Sequence, residues 1–172
     1  MEILLTAALI REWRPGDEES LTRHANNPNI SRHLRDRFPY PYTLADASQW
    51  IAFARAERPA TNFAIVVGGE AAGGIGFQMQ EDVARRSAEI GFWLGEAYWN
   101  RGIVTEAVRA VTETIFADFD VCRIFSNVFE TNAASIRVLE KAGYVCEGRQ
   151  RKAVTKDGQT MDALMYALVS EP

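Results

Sequence analysis

The chain has 172 residues, enough for one domain with a real hydrophobic core. Its residues are 47% hydrophobic and 24% charged, and no apolar run approaches the roughly 20 residues of a membrane span, which excludes a transmembrane helix. A formal net charge of −4 without a long basic block argues against nucleic acid as the main partner, while leaving a basic protein or an amine acceptable.

The start, Met1-Glu-Ile-Leu-Leu, lacks a basic n-region and a small-residue cleavage site, so no signal peptide is indicated and a cytoplasmic location is expected. Residues 3–12 read as a first strand. Asp17 is a plausible N-cap for a helix to about Ala25, which Asn26-Asn-Pro-Asn breaks. A short helix over 30–35 is expected next. The two prolines of Phe38-Pro-Tyr-Pro-Tyr forbid regular helix. Thr43 caps a helix to about Glu57, with Ala47, Trp50, Ile51 and Ala54 on one stripe. Phe63–Val67 and Ala71–Gln80 pair as a hairpin around Gly68-Gly69. A polar turn over 81–87 leads to the strand Glu89–Leu94.

Helix 101–118 is expected to bury Val104, Ala107, Val108, Val111, Ile115 and, just beyond it, Phe119. Strand 122–129 follows. A helix then starts at Asn132, carries Ile136, Leu139 and Ala142 at helical spacing, and stops at Gly143. Residues 144–154 and 163–169 close the chain as a hairpin around Asp157-Gly158. The alternation predicts one α/β (α+β) domain over residues 1–172, with a mixed, mostly antiparallel sheet of about seven strands flanked by helices. Cys122 and Cys146 lack metal-ligand spacing and read as buried, reduced, small apolar residues; no metal is expected.

The stretch with most chemical content is Tyr98-Trp-Asn-Arg-Gly-Ile-Val-Thr-Glu-Ala107. A strand that feeds a glycine-bearing loop at a helix N-terminus makes an anion site, because several N–H groups point one way and the helix dipole adds positive charge. Gly102 is not followed by Lys and Ser/Thr, so this is no phosphoryl-transfer loop. Gly73-Gly-Ile-Gly76 fails as a dinucleotide fingerprint: Met79 stands where the third glycine belongs, and no helix follows. A phosphate held at 98–105 would therefore be a handle on a carrier, not the reacting group.

Four ordered blocks carry a family resemblance. They are Phe38-Pro-Tyr-Pro-Tyr-Thr-Leu-Ala-Asp-Ala-Ser-Gln-Trp-Ile51; Glu89-Ile-Gly-Phe-Trp-Leu94 with the loop after it; Asn132-Ala-Ala-Ser-Ile-Arg-Val-Leu-Glu-Lys-Ala-Gly-Tyr144; and Glu147-Gly-Arg with Asp162. Over nearly the whole chain they resemble the GNAT acetyltransferases, and among them the RimJ/RimL-like branch that acetylates protein N-termini and related amines. The resemblance implies an acyltransferase with acetyl-CoA as cosubstrate and a primary amine as acceptor, most of all a protein N-terminal α-amine, attacking the thioester directly in a ternary complex. The other readings are a non-catalytic acyl-CoA-binding regulatory module, and an acetyltransferase for a small molecule such as an amino acid, a polyamine or an antibiotic. Neither nucleic acid nor membrane is implied as a partner, and a homodimer is compatible.

For the cofactor, the resemblance implies pyrophosphate on the N–H groups of Asn100, Arg101, Gly102, Ile103, Val104 and Thr105, beside Trp99. The pantetheine arm would run along Glu89–Leu94, past Phe92, Trp93 and Leu94, like an added strand. A main-chain N–H near Leu94 or Gly95 would polarise the thioester carbonyl. Asn132 matches a pantetheine contact, Asn127 lies on the neighbouring strand, and Arg137 and Lys141 either meet the 3′-phosphate or are simply exposed. Thr105 is read either as a helix cap or as a phosphate contact.

Two positions, Asn100 and Val104, depart from the small residues usual in the family's loop. Leu139 stands where many relatives have a tyrosine acid, so Ser135, on the same helix face as Asn132, is the implied donor to the leaving thiolate. The base candidates are Glu89, Glu147 and Asp162. An α-amine, with pKa about 7.7–8.0, costs only about 0.4–0.8 kcal/mol to deprotonate at pH 7.4, against about 4 kcal/mol for lysine. The lack of an obvious base thus slightly favours an α-amine. His24 and His33 read as solvated residues of the N-terminal helices, and Tyr40 and Tyr42 as possible borders of the acceptor site.

Overall fold

The computed structural model describes residues 1–170. Its strands are β1 Glu2–Leu4, β2 Leu9–Glu12, β3 Asn62–Val67, β4 Glu70–Met79, β5 Ser87–Leu94, β6 Arg123–Phe129, β7 Val145–Lys156 and β8 Gln159–Val169. Its α-helices are α1 Glu18–Ala25, α2 Pro28–Ser31, α3 Leu44–Ala56, α4 Ile103–Asp118 and α5 Ala133–Lys141. The strands form a sheet in the order β1-β2-β3-β4-β5-β6-β8-β7. The sheet has eight strands. The extra one arises because residues 3–12 are two strands: Leu5 N–H donates to Ala8 O at 2.9 Å, and β1 turns back antiparallel on β2. No glycine or proline marks that turn, which is why the sequence reads straight through it.

The backbone falls into two compact units, Met1–Gly76 with Phe92–Ala107, and Phe77–Gly91 with the chain from Val108 on. In the first, the core gathers Trp13, Leu21, Ala25, Tyr42, Ala47, Ile51 and Ala54 with residues of β3 and β4. Arg11 and Asp17 are buried beside that core as a bidentate ion pair, at 2.7 and 2.8 Å. Asp17 does stand at the N-cap of α1, but its side chain makes no cap hydrogen bond, since Arg11 and the Arg14 N–H occupy it. Thr43 and Asp46 close a full capping box on α3, each side chain taking the other's backbone N–H. The short second helix is Pro28–Ser31, starting two residues and ending four residues earlier than expected, because Asn27 caps it and Pro28 takes its first position.

In the second unit, Val108, Val111, Ile115, Ile124 and Leu139 are buried, and Phe77 meets Phe119 edge-on at 5.1 Å. Val104 and Phe119 are only half-buried, so the apolar stripe of α4 is narrower than the sequence suggests. The parallel pairing of β5 with β6 covers Ser87–Glu89 against Arg123–Phe125. Strands β7 and β8 form a long antiparallel hairpin closed by Asp157 and Gly158, both at positive φ (50° and 77°) as an Asp-Gly turn requires. The cysteines are not buried core: Cys122 is half-buried and Cys146 is exposed, because it lies on the outermost strand β7. Among the described residues, no helix is long and apolar enough to cross a membrane.

Candidate active site

In the first unit, β5 ends at Leu94, and the N–H of the next residue, Gly95, donates to Ala72 O at 2.7 Å. A Cβ there would lie 2.8 Å from His24 Nδ1, so only glycine passes beneath the histidine. His24 is thus not the solvated residue expected of it: its side chain is 12% exposed, and its ring lies 5.5 Å from that of Tyr98. One 3₁₀ turn, Glu96–Tyr98, follows. The exposed Trp99 is tied back by its Nε1–H to Leu94 O at 2.7 Å. Trp93 is half-buried over the strand glycines: a Cβ on Gly73 would lie 2.5 Å from Trp93 O, and one on Gly74 would lie 2.8 Å from its Nε1.

The loop itself alternates in hand. Asn100 has φ 61° and Gly102 φ 77°. The intervening Arg101 donates to Ala97 O and stacks on Tyr98, 5.4 Å from the ring centroid. Asparagine is, after glycine, among the residues that best tolerate the left-handed region, so Asn100 keeps the conformation a glycine would take. Helix α4 then begins at Ile103, and Glu106 N–H makes an early helical bond to Gly102 O at 3.1 Å. The N–H groups of Ile103, Val104 and Thr105 have no intrahelical acceptor and point out of the helix start. Thr105 lies inside the first turn and is not the cap.

Two glutamates flank this loop, and both carboxylates are held by the N-terminal segment. Glu96 accepts from Asn27 Nδ2 at 2.5 Å and from Asn29 Nδ2 at 3.1 and 3.2 Å; these bonds hold its carboxyl below the usual range. Glu106 accepts from both the N–H and the hydroxyl of Thr6, each at 2.9 Å. Sequence reasoning missed these partners. Asn27 reads locally as a helix breaker, and no spacing rule joins it to position 96.

In the second unit, Asn132 caps α5. Its Oδ1 accepts from Ser135 N–H at 3.1 Å, and its Nδ2 donates to Ser135 Oγ at 2.9 Å. Arg137 and Lys141 are exposed on α5, and Asn127 is exposed on β6 opposite Met165. Leu139 is fully buried, and the nearby Tyr144 hydroxyl is taken by Thr112 at 2.7 Å, with burial pushing it up to about 12. Neither supplies the missing tyrosine acid.

The three carboxylates differ. Glu147 is bidentate to Arg123, which holds it below the usual carboxylate range. Asp162 accepts from Lys152 N–H at 2.9 Å and Arg149 at 3.0 Å, and it too is lowered, first by the Lys152 backbone bond and then by Arg149. Its own N–H donates to Glu130. Both are engaged as acceptors that pin β7 to its neighbours. Glu89 is half-buried on β5, at the last position paired with β6. Among the described residues, no group of three or more His, Cys, Asp or Glu side chains is arranged to hold a metal ion.

Comparison with known proteins identifies the family of the fold. Residues 8–145 match the acetyltransferase (GNAT) domain. The chain is 29% identical over 176 residues to the uncharacterised N-acetyltransferase p20 of Bacillus licheniformis, covering 98% of this chain and 97% of that one. A GNAT-family acetyltransferase structure from Bacillus anthracis matches with a TM-score of 0.84 at 24% identity, over 98% of both chains. RimL, a ribosomal α-N-protein acetyltransferase solved with coenzyme A, matches with a TM-score of 0.86 at 21% identity, again over 98% of both chains. At those identities the structural likeness is one of fold. With more than half of its length matched by the family's domain, the chain belongs to the GNAT acetyltransferases.

Proposed function

We propose that this N-acetyltransferase takes its acetyl group from acetyl-CoA and transfers it to a primary amine, most of all the α-amine of a protein N-terminus, by direct attack in a ternary complex. The observation that carries the reading is the loop Trp99–Thr105, which brings two left-handed positions and a helix start together as an N–H-rich anion site. RimL, whose described activity is on a ribosomal protein and which was solved with coenzyme A, lends the reading support.

In this reading the pyrophosphate rests on N–H groups between Asn100 and Thr105. The pantetheine arm adds to β5 beyond Glu89, past Phe92, Trp93 and Leu94. Leu94 is the proposed oxyanion donor, since Gly95 N–H is already committed to Ala72. Arg137 and Lys141 are assigned to the 3′-phosphate, and Asn127 and Asn132 to the arm. Ser135 donates to the sulfur as the C–S bond breaks; the Asn132 amide donating to its Oγ leaves the hydroxyl proton free and strengthens it as a donor. The amine nitrogen attacks the carbonyl carbon and gives up one proton. We assign its acceptance to Glu89, half-buried where β5 leaves its pairing with β6 and next to the residues given to the pantetheine arm.

The test is an acceptor screen read by free-thiol release and mass spectrometry. Peptides with free α-amines are compared with N-acetylated, lysine-bearing peptides, free amino acids and polyamines. Turnover confined to α-amines, with sequential kinetics, is the expected result. Ping-pong kinetics with acetyl retained on Cys122 or Cys146 would overturn direct attack, and turnover confined to small molecules would overturn the acceptor class.

A further inference from the structure

Two carboxylates bracket the loop just assigned to the pyrophosphate, and both have the wrong sign for a phosphate neighbour. Glu96 precedes it and Glu106 follows it. Neither is left to solvent alone. Asn27 uses both ends of its amide: Oδ1 caps α2 by accepting from Asn29 N–H at 2.8 Å, while Nδ2 donates to Glu96. Asn29 donates to the same carboxylate and itself accepts from Arg32. The His24 ring packs on Gly95 and Tyr98, on either side of Glu96. At the far end, Thr6 holds Glu106 by two bonds to one oxygen.

From this geometry we infer that Glu96, gripped by Asn27 and Asn29, is a positioning residue for cofactor binding: the N-terminal segment clamps both ends of the loop and sets its N–H groups before the cofactor arrives. The inference rests on the reading of 99–105 as the pyrophosphate site. Its physical basis is preorganisation. A loop held in its binding conformation loses less freedom on binding, so releasing the clamp appears as lost affinity. Charge adds to this, because a carboxylate tied to two amides is kept from folding over the anion site.

The measurement is calorimetric titration of coenzyme A into the full chain, well below the melting temperature of each variant. Glu96→Ala is expected to weaken binding about tenfold, Asn29→Ala less, and Glu96→Gln, which keeps one acceptor oxygen, to recover part of the loss. Gly102→Val, which breaks the loop's own left-handed position, is the control. If Gly102→Val weakens binding and Glu96→Ala does not, the clamp is overturned while the loop reading stands. A lower melting temperature for Glu96→Ala at unchanged affinity reports a purely structural role and also overturns it. If Gly102→Val binds as the parent does, the loop reading fails and takes the clamp with it.

Discussion

Asn132 and Ser135 hold each other across the first turn of α5, the amide donating to the hydroxyl oxygen and accepting from the serine N–H. Removing the hydroxyl leaves the cap intact, since that bond uses the backbone. Ser135→Ala is therefore expected to lower kcat by about ten- to hundredfold while the KM for acetyl-CoA moves less than about threefold. Steady-state thiol release checks this, and an unchanged kcat removes Ser135 from the reaction.

Asn100 sits at φ 61°, where side chains other than those of Asn, Asp and Gly are strained. Asn100→Gly should bind coenzyme A within about twofold of the parent. Asn100→Val should be weaker, because about 1–2 kcal/mol of left-handed strain must be met before the loop can close. Titration of the two variants side by side decides it.

The Arg11–Asp17 pair lies inside the first unit with side chains 8% and 10% exposed. Asp17→Ala abandons a buried guanidinium and is expected to cost about 3–5 kcal/mol of stability, measured by urea unfolding. Arg11→Met with Asp17→Leu should lose much less, since no charge is stranded.

Acid stability supplies a further measurement. Arg123 holds the Glu147 carboxyl below its ordinary value, so the pair's contribution is present at neutral pH and is lost as pH falls from the unfolded carboxyl range through the lower folded pKa. Arg123→Met should flatten the fall of melting temperature below about pH 4.5 and leave the slope between pH 6 and 8 unchanged. An acid limb that stays as steep as the parent's would refute the assignment.

Local chemistry was readable where one short segment decides the outcome. Thr43 with Asp46, Asn132 before α5, and Asp157-Gly158 in the last hairpin each act within four residues, and each appears where the pattern puts it. The misses are non-local. Asp17 has the composition of a cap, but Arg11 across the strand end claims its carboxylate. Cys146 has the composition of a core residue, but strand order makes β7 an edge. The glycine-bearing loop ahead of α4 was visible in the sequence, whereas its ties to Thr6, Asn27 and Asn29 reach across as many as 100 positions and leave no periodic trace.

The short parallel ladder of β5 on β6 has a consequence for divergence. Pairing stops at Glu89, and β5 runs on for five residues to Leu94. A carrier arm that reads those residues through their main chain is indifferent to what they carry. Within that run Ile90 and Leu94 are fixed in the core and Trp93 packs on Gly73 and Gly74, so on the proposed reading the exposed Gly91 and the half-buried Phe92 are the positions left to vary without disturbing the grip on the donor.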